Sequence, residues 1–149
     1  MIHDVYAIKI NPSDYNRTPF KERMRGERRE SGGENITFMN LYRDIKKDGI
    51  KYPVLLESVK GNAYITIGMQ RVAIADELKL NSIDAVIYST NGEVKFNGIP
   101  IKELNDIIKI YGKSIIGEPI FLGIICAIIK THKNNLNLQA KQEAKMNPE

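Results

Sequence analysis

The chain has 149 residues, 42% of them hydrophobic and 27% charged, with a formal net charge of +4 and one cysteine, Cys126. That is enough for one domain with a real core and a small appendage. It excludes an internal disulfide and a cysteine-based zinc site, and the mild positive balance permits a nucleic-acid or nucleotide partner without requiring one. His3 and His132 stand at opposite ends of the sequence, so no metal site is expected. Met1-Ile2-His3-Asp4 lacks the basic and then apolar pattern of a signal peptide, and the apolar run Ile120–Ile129 is too short to span a bilayer. A cytoplasmic protein with no membrane partner is expected.

In chain order, Val5–Ile10 reads as a strand of β-branched and aromatic residues, closed by the turn chemistry of Asn11-Pro12-Ser13-Asp14. Residues 17–33 are charged, poor in large apolar residues and glycine-rich at their end. They read as a long exposed loop with room for one helical turn. Thr37–Lys47 has Phe38, Leu41, Tyr42 and Ile45 on one face of a 3.6-residue period, with Gly49 placed for a left-handed stop. Tyr52–Ser58 and Ala63–Ile67 flank Lys60-Gly61-Asn62 and read as a hairpin. A helix from about Gln70 to Lys79 and a strand from Ser82 to Tyr88 follow. Pro100–Tyr111 reads as a helix with Ile101, Leu104, Ile107, Ile108 and Tyr111 on its apolar face, stopped by Gly112. Pro119–His132 is apolar almost all round, so it is expected to be buried in the protein or in a partner, with Cys126 in the core. The expected organisation is a domain over 1–90, a helical extension over 91–133 and a disordered tail over 134–149.

The junction Ile65-Thr66-Ile67-Gly68-Met69-Gln70-Arg71 carries the clearest chemistry. A strand running through a glycine into a helix gathers unpaired N–H groups and the positive end of a helix dipole around one small space. Arg71 adds a permanently charged planar fork suited to phosphate oxygens. A second basic feature lies upstream, where Arg17, Lys21, Arg23, Arg25, Arg28 and Arg29 have only two acidic residues, Glu22 and Glu27, among them. Such a segment is a solvated linker or an arm that contacts phosphate or nucleic acid.

Two boxes then stand at suitable spacing: Asp48-Gly49-Ile50-Lys51-Tyr52-Pro53-Val54-Leu55, and Gly68-Met69-Gln70-Arg71-Val72-Ala73-Ile74-Ala75. Together with Ile10-Asn11-Pro12 and Arg17-Thr18-Pro19-Phe20, this order resembles the N-terminal domain of the ParB/sulfiredoxin superfamily over about residues 4–89. The resemblance implies an α+β fold, a small mixed sheet with flanking helices, followed here by a helical C-terminal extension. It implies a site for a nucleoside triphosphate, CTP or ATP with Mg²⁺, formed by Gly49, Pro53, Gly68, Met69, Gln70 and Arg71. It also implies phosphate or DNA contacts from Arg17, Arg23, Arg25, Arg28 and Arg29, and a phage- or plasmid-borne, DNA-associated role. Gly26-Glu27-Arg28-Arg29 spells the ParB box literally, but it follows no strand and opens no alanine-bearing helix, so it belongs to the basic loop.

Departures narrow the reading. Met69 stands where sulfiredoxins carry their cysteine, and a thioether cannot act as that nucleophile. Gln70 replaces the acidic residue of the ParB box, and Tyr52 replaces the glutamine before Pro53. Phosphoryl chemistry would need a carboxylate to hold Mg²⁺ or take a proton, for which Glu34, Asp48 and Glu57 are the candidates; the sequence does not choose among them. Whether the chain is an enzyme stays open. The leading expectation is a ParB-like protein binding a nucleotide or DNA phosphate at Gly68–Arg71. The alternatives are a dimerising, non-catalytic binding module using the apolar helix near Pro119–Ile129, and a nuclease or nucleotide-dependent phosphotransferase.

Overall fold

In a computed structural model, the structure describes residues 5–18, 20–23, 36–89 and 96–131. The strands are β1 (Val5–Ile10), β2 (Val54–Val59), β3 (Asn62–Ile67), β4 (Ile83–Ser89) and β5 (Ile99–Pro100). The helices are α1 (Phe20–Arg23), α2 (Ile36–Asp48), α3 (Met69–Glu77), α4 (Leu104–Tyr111) and α5 (119–131), with 3-10 turns at Pro12–Asp14 and Lys113–Gly117. The strands form one mixed five-stranded sheet in the order β3-β2-β4-β1-β5, with helices flanking it, so the expected α+β class is the observed one. No helix among the described residues is long and apolar enough to cross a membrane.

The β2–β3 hairpin follows from its turn. Lys60 and Gly61 both adopt positive φ, 51° and 81°, the backbone that matches strand twist across a two-residue loop. β5 pairs antiparallel with β1, Tyr6 opposite Pro100 and Ala7 opposite Ile99. This corrects the expected start of the fourth helix at Pro100. A proline is tolerated at a sheet edge, and α4 begins only where Glu103 and Asp106 form a capping box. Ile101 is therefore outside the helix, and its N–H donates to Val5 O at 2.9 Å.

Two compact units are distinguished. One comprises Lys9–Leu55 and Ile65–Ala85. Its core is Phe38, Ile45 and Ile74, with Phe20, Leu41, Tyr42, Ile50 and Leu78 packed against them. The helical period of α2 thus faces inward as expected, each fully buried side chain contributing about 1.5–3 kcal/mol. Phe20 anchors α1 by packing its ring 5.4 Å from that of Phe38 and 5.0 Å from that of Tyr42. Asn16 Nδ2 donates to Asp76 Oδ2 at 2.8 Å, tying the chain beyond the first 3-10 turn onto α3.

The other unit comprises residues up to Ile8, Leu56–Tyr64 and the chain from Val86 onward. Within it α5 buries Phe121, Ile125 and Ile129, one stripe at four-residue spacing. Burial within the chain is thus confined to one stripe of this apolar helix, and Ile120 is 81% exposed. Cys126 is exposed too, not in the core, because it lies one residue past Ile125 and turns away from the buried stripe. The expected short segment 94–96 lies mostly outside the described residues, as do the expected tail and the part of the basic loop from Met24 to Asn35.

Candidate functional site

α3 begins abruptly after β3 because Gly68 takes a backbone that few other residues can. Its φ is 105° and ψ 22°, and a Cβ there would lie 2.6 Å from Val54 Cγ1 and 2.9 Å from Arg71 Nη2. Both the left-handed conformation and the close approach require glycine. Gly68 O accepts from Val72 N–H at 3.0 Å and starts the helical ladder. As the N-cap residue it has no side chain to offer the first-turn N–H groups, and α3 has no acidic residue in its first turn. Met69 is half-buried and Gln70 exposed at this end.

Arg71 is only 6% exposed. Its Nη1 donates to Tyr52 O at 2.7 Å and to Pro53 O at 3.0 Å, and its guanidinium carbon lies 4.1 Å from the centre of the Tyr52 ring. A charged donor on two carbonyls, stacked on an aromatic face, is a strong clamp, each charge-assisted bond being worth about 1.5–3 kcal/mol. It also explains why β2 begins at Val54, not at the expected Tyr52. The Tyr52 and Pro53 carbonyls turn to the guanidinium instead of to a sheet neighbour. The two sequence boxes are thereby one structure: the arginine of the second holds the Tyr-Pro of the first. Val54, the first residue of β2, sets its Cγ1 against Gly68.

The remaining candidates are placed as follows. Pro53 is buried within this clamp. Gly49, with φ 78°, ends α2, its N–H donating to Ile45 O at 2.8 Å, and a Cβ there would meet nothing within 4 Å. Its backbone conformation, not close packing, is what calls for glycine. Asp48 is exposed at the last position of α2. Glu57 is half-buried on β2, and its Oε2 accepts from the Tyr88 hydroxyl at 3.4 Å. Arg17 is exposed, while Arg23 is half-buried with a buried Nε that has no hydrogen-bond partner among the described residues. Arg25, Arg28, Arg29 and Glu34 lie outside the described residues. Among those that are described, no three His, Cys, Asp or Glu side chains gather as a metal site would need.

Two contributors were missed by sequence reasoning, Tyr52 as the seat of the guanidinium and Val54 as the wall against Gly68. The signal for the first was available. An arginine leading directly into the apolar run Val72-Ala73-Ile74-Ala75 of a helix is drawn into the core with it, and a buried guanidinium needs acceptors.

No protein family model matches the chain, and no curated protein does. Among solved structures, sulfiredoxin from Arabidopsis thaliana is similar at 20% identity, covering 54% of this chain and 82% of that one, with a TM-score of 0.38. The C-terminally truncated chromosome-partitioning protein ParB from Caulobacter crescentus, complexed with CTP-gamma-S, is similar at 20% identity and a TM-score of 0.37. That match covers 54% of this chain and 43% of the ParB chain, so this chain spans less than half of the ParB neighbour.

Proposed function

We propose that this protein binds the phosphates of a nucleotide at the N-terminus of α3, as a ParB-like nucleotide-binding protein with a DNA-associated role. The observation that carries the reading is the glycine-opened first turn of α3 with a buried guanidinium fastened behind it. In the absence of a side-chain cap, first-turn N–H groups are best satisfied by an anion, and the helix dipole favours negative charge there. Arg71 acts from behind the turn. Its Nη1 is committed to Tyr52 O and Pro53 O, so it fixes the turn's shape and lends positive charge, while the main chain makes the contacts.

Nucleoside triphosphates with Mg²⁺, CTP and ATP first, are the ligands to try. The ion would be held chiefly by the phosphates, with one carboxylate from Glu34 or Asp48 as the protein's share. Arginines 17, 23, 25, 28 and 29 would extend the contact to further phosphates of the nucleotide or of DNA.

Isothermal titration of CTP, ATP and GTP, with and without duplex DNA, tests the reading. Saturable binding of at least one nucleotide is expected, weakened in Gln70→Glu, which sets a carboxylate beside the first-turn N–H groups. Binding of none of the three by a folded wild-type protein would overturn it.

A further inference from the structure

The two edges of the sheet are built differently. β5 is two residues long and contains Pro100, so it offers little to a neighbouring strand. At the other edge β3 runs for six residues, Asn62-Ala63-Tyr64-Ile65-Thr66-Ile67, with no charge and no proline. Among the described residues no strand lies outside it. Edge strands of this length are usually blunted by a charge, a proline or a bulge, because their outer N–H and C=O groups are a template for pairing.

The register says which groups face outward. A two-residue turn at Lys60-Gly61 closes on Val59 and Asn62, so Asn62, Tyr64 and Thr66 direct their main-chain groups at β2. The Thr66 hydroxyl reaches Leu55 O at 3.1 Å, as expected when residues 55 and 66 stand opposite each other. Ala63, Ile65 and Ile67 therefore direct N–H and C=O to the open side. Their side chains are only half-buried, in contrast to Val54, Leu55 and Leu56 of β2, which are fully buried. Tyr64 is 53% exposed on the opposite face.

We infer that β3 is a pairing edge whose occupant is the β3 strand of a second copy of this chain, running antiparallel across a two-fold axis at Ile65. The segment is complementary to itself. With Ile65 opposite Ile65 of the partner subunit, Ala63 meets the partner's Ile67 and completes one apolar row. On the other face Tyr64 meets the partner's Thr66, an aromatic against a β-branched residue, which is a favourable cross-strand pair. No like charges meet, although the chain as a whole carries +4 and its copies repel at long range. A two-fold pairing also closes on itself and leaves only the short, proline-bearing β5 edges. The inference is independent of the nucleotide reading.

Sedimentation equilibrium of the whole chain, combined with amide hydrogen exchange across a wide concentration range, tests it. A dimer is expected, with the amides of Ala63, Ile65 and Ile67 gaining protection as it forms. Ile65→Pro removes the outward N–H from both copies and should weaken the dimer about ten- to a hundredfold. Tyr64→Lys, on an exposed position that leaves the monomer's core intact, should weaken it several-fold even if the proline variant fails to fold. A monomer at every concentration would overturn the inference, and so would a dimer that leaves β3 exchange unchanged or is indifferent to Tyr64→Lys.

Discussion

α3 begins on Gly68, which has no side chain to offer the first turn, whereas α4 begins on Glu103 and carries its own carboxylate cap. At α4, Asp106 Oδ2 accepts from Lys102 N–H at 2.8 Å and from Glu103 N–H at 3.1 Å. The hydrogen bond from the Lys102 main chain is the chief reason the Asp106 carboxyl sits below the ordinary aspartate range, partial desolvation opposing it. A helix start closed by its own anion has no use for another. The first turn of α3 carries no acidic residue, and the Arg71 guanidinium is fastened to Tyr52 O beside it. One N-terminus is capped by a side chain of its own helix, and the other begins on a glycine that makes no side-chain cap.

The largest change to this contrast comes from Arg71→Ala. It strands the Tyr52 and Pro53 carbonyls and should cost about 3–5 kcal/mol in urea unfolding. Arg71→Lys should recover only part of this, since an ammonium can donate to the carbonyls but cannot stack on Tyr52 as a planar guanidinium does. Gly68→Ala comes next. The positive φ and the approach to Val54 should together cost about 2–4 kcal/mol, read from the same unfolding curves.

Gln70→Glu separates binding from stability. On an exposed first-turn position it should raise helix stability by about 0.3–1 kcal/mol while lowering phosphate affinity about tenfold or more, read by thermal melting and titration together. The smallest effect is at the finished end. Asp106→Asn should lower the melting temperature at neutral pH. Because the folded carboxyl is held low, its contribution exists above the unfolded value and is lost as pH falls through the folded one, so the gap between variant and wild type should close on acidification.

Much of this arrangement was legible in the sequence where one physical signal acted alone. The 3.6-residue period of α2 survived intact in the packing of Phe38 and Ile45, and Lys60-Gly61 marked the hairpin at once. Illegibility arose where two signals competed. Pro100 and Ile101 continue the apolar period of α4, yet the sheet edge takes Ile99–Pro100 and the capping box delays the helix to Leu104. Ile120 and Cys126 look like core by composition, but a helix buries only the stripe it turns inward, here Phe121, Ile125 and Ile129. The candidate site was legible as a constellation and not as a mechanism. Gly68 and Arg71 were marked by residue type. That Arg71 spends its Nη1 on Tyr52 and Pro53 depends on a contact between residues far apart in sequence, which spacing along the chain does not encode.

The contrast between the two helix starts is tested most directly by amide NMR of the ¹⁵N-labelled protein titrated with CTP or ATP and Mg²⁺. Saturable shifts are expected at the Gly68, Met69 and Gln70 amides, with those of Leu104 and Asn105 unmoved. Shifts at α4 with none at α3, or no shift at either with any nucleotide, would contradict it.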